Sequence, residues 1–122
     1  MESMLLVNDQ AGGFSPRPLP IEMQWAPVFS FYSGDFDQDG KPDLLAGGNF
    51  YGVIPFEGRY DAMPPTVAWG DGKGGFRTTL PYAQALLISG EVRDIKPLHV
   101  RGSNQTRLIL ARSNDSLTFI GY

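Results

Sequence analysis

Between residues 35 and 43 the chain sets four carboxylates at alternate or nearly alternate positions: Asp35, Asp37, Asp39 and Asp43. Like charges crowded into one short loop repel one another unless something compensates them. Calcium is suited to the task, because it is a hard cation that takes six to eight oxygens at flexible geometry. A loop curling round the ion offers side chains from its first, third, fifth and ninth positions and a backbone carbonyl from its seventh. In this chain those ligands are Asp35, Asp37, Asp39, Asp43 and the carbonyl of Lys41. Gly40 stands at the sixth position, where the chain turns sharply and a Cβ would obstruct it. Magnesium fits less well, since it keeps its waters and demands a near-ideal octahedron. An EF-hand would need a Glu at position 12 and helices on both sides. Position 12 is Ala46, and the flanking runs Val28-Phe29-Ser30-Phe31-Tyr32 and Leu44-Leu45-Ala46 read as strands. The loop therefore belongs between two strands.

The rest of the chain agrees with an all-β fold. Its 15 Gly and 10 Pro punctuate it too often for long helices, and no segment sustains a 3.6-residue apolar period. Strands are expected at Met4 to Val7, Thr66 to Trp69, Phe76 to Leu80, Ala85 to Ile88, Val92 to Ile95, Leu98 to Val100, Leu108 to Ala111 and Leu117 to Ile120. Gly70-Asp71-Gly72-Lys73-Gly74-Gly75 is expected to be a hairpin turn, because Asp-Gly and Gly-Gly supply the positive φ angles that tight turns require. Residues 49–65, rich in Gly, Pro and aromatics, read as a long surface loop, and Pro81 to Leu87 has room for one helical turn.

The chain also repeats itself. Asn8-Asp9-Gln10-Ala11-Gly12-Gly13-Phe14 matches Gly70 to Phe76; Ser33-Gly34-Asp35-Phe36 matches Ser89-Gly90-Glu91-Val92; Asp43-Leu44-Leu45-Ala46 falls opposite Arg107 to Ala111. The period is roughly 60 residues, the scale of one four-stranded propeller blade with an inserted loop. Two units are expected. Residues 1–65 hold the acidic loop at 35–43 and the long loop at 49–65. Residues 66–122 form a degenerate copy, in which Glu91, Arg93 and Ile95 replace the first three acids and no metal binds.

Phe31-Tyr32-Ser33-Gly34-Asp35-Phe36-Asp37-Gln38-Asp39-Gly40-Lys41-Pro42-Asp43-Leu44-Leu45 resembles the FG-GAP/VCBS repeat. The turn Gly70 to Phe76 and the tail segments Gly90 to Lys96 and Leu110 to Asp115 resemble bacterial members of that family. The resemblance implies about two β-propeller-like blades of four short antiparallel strands each, with a Ca²⁺-binding loop. It further implies a secreted, periplasmic or cell-surface protein. Its partners would be neighbouring blades, from the same longer chain or from other copies, and a protein or glycan ligand. A closed propeller needs at least four blades, so the chain reads as the C-terminal part of a larger protein.

Other function classes find less support. The formal charge is −3 and the acidity is concentrated in the loop, so there is no basic stripe for nucleic acid. There is no Cys, no apolar run long enough for a membrane span and no signal-peptide pattern. His99 is the only histidine, and the acids outside the loop are scattered, so a non-enzymatic scaffold or binding module is expected. The alternatives are a small oligomeric propeller lectin and a fragment of a carbohydrate-active propeller enzyme. Trp25, Trp69, Phe50, Tyr51, Phe56 and Tyr60 would form the sugar-stacking surface, if they are not packing residues.

Overall fold

A computed structural model describes residues 2–52, 63–78, 88–103 and 105–122. Among these the chain is all-β, with one short 3₁₀ turn at Ile21–Gln24. The strands are β1 (Met4–Asn8), β2 (Phe14–Pro18), β3 (Val28–Gly34), β4 (Asp43–Gly48), β5 (Thr66–Gly70), β6 (Phe76–Thr78), β7 (Val92–His99), β8 (Thr106–Arg112) and β9 (Thr118–Gly121). They sort into a hairpin β1-β2, a meander β3-β4-β5-β6 and a meander β7-β8-β9, all antiparallel. The expected two sets of four strands are thus replaced, among the described residues, by sheets of two, four and three strands that form no closed ring. The point between 65 and 66, where the sequence repeat divides, lies inside the four-stranded sheet, between β4 and β5.

The three sheets stack as layers with the meander β3–β6 in the middle. Alternate residues of a strand point to opposite faces, and the middle sheet buries both. Ala46 and Ala68, with Leu44, Val28 and Phe76 beside them, meet Leu19, Met23, Met63 and Leu5 in one core. Leu45, with Tyr32 and Val67, meets Val92, Ile95, Leu108 and Leu110 in the other. Burial on both faces explains why β4 reads as an unbroken apolar run, Leu44-Leu45-Ala46-Gly47-Gly48, without polar alternation. Its glycines allow close layer contact, since a Cβ on Gly47 would run into Val92.

Several expectations require correction. The strands expected at Val92 to Ile95 and Leu98 to Val100 are one continuous strand, β7, which passes through Pro97 and ends at His99, so Val100 lies outside it. It tolerates the proline because it lies at the edge of its sheet. The Ile95 N–H donates to Ser30 Oγ (3.0 Å) rather than to β8, and the Pro97 nitrogen, two residues on, faces the same way. The segment 49–65 is not wholly a surface loop: Asn49 and Met63 at its two ends are buried. Asn49 Oδ1 accepts the Met63 N–H (3.1 Å), and Asn49 Nδ2 donates to the Gly90 carbonyl (3.2 Å). The strand expected at Phe76 to Leu80 is present from Phe76 to Thr78, residues 79 and 80 lying outside the described residues, and Ile88 stands outside any strand. The helical turn expected at Pro81 to Leu87, most of the strand Ala85 to Ile88, and Phe56 and Tyr60 lie outside the described residues.

The repeat divides in the same way. Its first element is structural: in each hairpin the Asp N–H donates to a glycine carbonyl, Asp9 to Gly13 and Asp71 to Gly75, both at 3.0 Å. Asp9 Oδ1 accepts from Ala11 and Gly13, as Asp71 Oδ1 does from Lys73 and Gly75. These backbone N–H groups hold both carboxyls below the usual carboxylate range. The second element is not structural. Ser33 and Gly34 close β3, whereas Ser89, Gly90 and Glu91 precede β7. The connection that follows the first strand of the third sheet is residues 100–105, Val-Arg-Gly-Ser-Asn-Gln. It carries no acid.

Candidate metal-binding loop

The acidic loop connects β3 to β4 at one end of the middle sheet. Asp35, Asp37 and Asp39 come together there, each offering an oxygen within 4.8 Å of the others. Successive Asx-type turns curl the loop. Asp35 takes the N–H groups of Asp39 (3.0 Å) and Gly40 (2.9 Å) on its two oxygens, and Asp39 Oδ1 takes that of Lys41 (2.9 Å). Gln38 and Gly40 adopt the left-handed conformation (φ 61° and 83°), which glycine accepts without cost and glutamine does not.

Asp43 stands apart from the triad. The residue is 1% exposed, with one carboxylate oxygen accepting the Phe36 N–H (2.9 Å) and the other that of Gly70 (2.8 Å). It therefore ties the start of the acidic loop to the end of β5. Gly70 must be glycine for the same reason, because a Cβ there would strike the Pro42 carbonyl oxygen. Lys41, whose backbone carbonyl is the expected ligand, also turns its ammonium onto Asp39 Oδ2 at 2.6 Å. That bond holds the Asp39 carboxyl below its usual range and raises the Lys41 ammonium above its own. Sequence reasoning missed this partial compensation, although a lysine two residues beyond an aspartate was there to be read.

The third sheet buttresses the loop. Tyr122 lies beside Gly34, its hydroxyl 3.0 Å from that of Tyr32 and its ring edge-on to Phe36 at 4.7 Å. Burial and the Tyr32 bond push the Tyr122 hydroxyl up to about 12. A second cluster lies away from the loop. Glu91, buried, accepts the Tyr51 N–H and pairs with Arg93 (3.2 Å), whose guanidinium sits 4.4 Å from the centre of the Phe29 ring and 5.7 Å from that of Phe50. The Tyr51 N–H is the main reason that the Glu91 carboxyl lies below its ordinary range. Of the expected sugar-stacking residues, Phe50 is therefore engaged with Arg93, and Trp25 is exposed.

Compared with models of known families, with curated proteins and with solved structures, the chain gives no match. No helix among the described residues is long and apolar enough to cross a membrane.

Proposed function

We propose that the 35–43 loop binds calcium and that the chain is a non-enzymatic, β-propeller-like segment of an extracytoplasmic protein, acting as a scaffold or as a protein- or glycan-binding module. One observation carries the reading: three carboxylates at alternate positions converge within 4.8 Å in a loop already curled by its own backbone bonds. The donor set suits a hard cation, being all oxygen. When bound, calcium would supply a divalent charge that relieves the repulsion among the three aspartates. Asp35, Asp37 and Asp39 would hold it, with the Lys41 carbonyl and Asp43 completing the set expected from the motif. The four-strand meander β3–β6, with the loop between its first two strands, supports comparison with an FG-GAP/VCBS blade.

Two features point to modest affinity. The Lys41 ammonium must leave Asp39 or share it, and Asp43 is already committed to two amides. Dissociation constants of about 10⁻⁴–10⁻³ M, the range of extracellular modules, fit such a site and an extracytoplasmic setting. Calorimetric titration should give one calcium per chain, with weaker binding of magnesium and none after Asp37→Asn. No binding at 10 mM calcium, or binding undiminished in Asp37→Asn, would remove the reading.

A further inference from the structure

The two outer sheets leave faces whose register matches that of faces already packed between the layers. The hairpin β1-β2 has the same register as β5-β6: Asn8 pairs with Phe14 as Gly70 pairs with Phe76, and Leu6 with Pro16 as Ala68 with Thr78. Leu6 thus holds the place of Ala68, and Phe14 that of Phe76. In the middle sheet those two places belong to the core shared with the preceding layer. In the hairpin they are bare: Leu6 is 63% and Phe14 64% exposed.

The opposite end mirrors this. In the middle sheet Leu45 pairs with Val67, and both belong to the core shared with the next layer. In the third sheet Ile109 pairs with Phe119 at the corresponding positions of its second and third strands, β8 and β9. Here Phe119 is 54% exposed, and the partly exposed Ile109 lies outside the core on the other face. The two outer sheets therefore present one face of the kind that covers a layer and one of the kind that is covered.

We propose that these two faces meet between copies, the β8-β9 face of one chain packing on the β1-β2 face of the next. The occupant is a second copy because the contact it makes continues the layer-to-layer packing that the chain already makes twice internally. The association is heterologous, so it propagates head to tail and yields rings or open chains rather than a two-fold dimer. The sheet cannot instead grow sideways from β2, whose Pro16 and Pro18 remove edge donors. The inference stands on sheet register and does not depend on the metal.

Sedimentation velocity in EDTA tests it, using the full chain with Leu6→Asp, with Phe119→Asp, and with the two variants mixed. Both side chains are exposed, so circular dichroism and melting should match the parent; if Leu6→Asp does not fold, Phe14→Ser replaces it. The parent should increase in mass with concentration. Each variant alone should be monomeric, because each has lost one of the two complementary faces. The mixture should form a dimer and nothing larger, joined by the one intact pair of faces. A parent that stays monomeric at about 0.5 mM, well above the micromolar affinity of modest interfaces, would overturn the proposal. So would a single variant that still self-associates, since that would mean like faces meeting, or a mixture that remains monomeric.

Discussion

Asp37 and Asp43 belong to one motif but do different work. Asp43 is a buried carboxylate accepting two amides, and hydrogen bonds to a charged group contribute about 1.5–3 kcal/mol each. Asp43→Ala should therefore destabilise the fold by about 2–4 kcal/mol in denaturant titrations, with or without calcium. Asp37→Asn should leave stability in EDTA nearly unchanged and abolish only the gain on adding calcium. A ligand specific for the native state contributes about 2.7 kcal/mol at a hundredfold excess over its Kd. The aspartate triad was legible from spacing alone, because alternate positions in a curled loop face its centre. The role of Asp43 was not, since its second amide comes from Gly70, remote in sequence. Two of the shifted groups make pH-dependent contributions to stability. Glu91 has a folded-state pKa below its unfolded value, so its contribution is full above about pH 4.5 and lost as pH falls through the folded value. Glu91→Gln should flatten the acid limb of melting temperature against pH. Tyr122 has a raised value, so its contribution is full below about pH 10 and lost as pH rises towards 12. Tyr122→Phe should remove that alkaline loss.

At the scale of elements, the two hairpins turning at Asp9 to Gly13 and Asp71 to Gly75 were the most legible parts of the chain. Their turns are specified by residues in contact along the sequence, and both adopted the same bonding. Elements decided by distant contacts were read less well. Two separate strands were expected at Val92 to Ile95 and Leu98 to Val100, yet the edge position of β7 accommodates Pro97 between them. Met63 lay in a segment of loop composition, yet it fills the core beneath β4 and β5. The 3₁₀ turn Ile21–Gln24 gave no periodic signal, being a single turn, although it buries Met23. The contact between the acidic loop and the β5-β6 hairpin can be tested directly. Gly70→Ala drives a Cβ into the Pro42 carbonyl and should cost about 1–3 kcal/mol, as overpacking does. Gly12→Ala, in the equivalent hairpin, has open space around the new methyl. Its cost should come from the positive φ alone and should leave the calcium response intact. Equal calcium responses in the two variants would mean that the hairpin does not support the loop.

For the whole molecule, the all-β class was readable, whereas the layer order was not. Sequence likeness pairs Ser33-Gly34 with Ser89-Gly90, but sheet register does not, because the chain reuses a short turn-like string at two different stations. What the molecule presents is a stack of three sheets with the acidic loop projecting from the middle one and Tyr122 of the third lying against its base. In the reading proposed above, calcium rigidifies a corner where Asp43 joins the amides of Phe36 and Gly70. The most direct test of that central claim is a calcium titration followed by amide nuclear magnetic resonance. The N–H groups of Asp39, Gly40 and Lys41 donate to the carboxylates that would receive the ion. The account predicts that these amides shift most and saturate together, with those of residues 100–105 unmoved. Shifts absent at 10 mM calcium, or scattered over the surface without saturation, would contradict it.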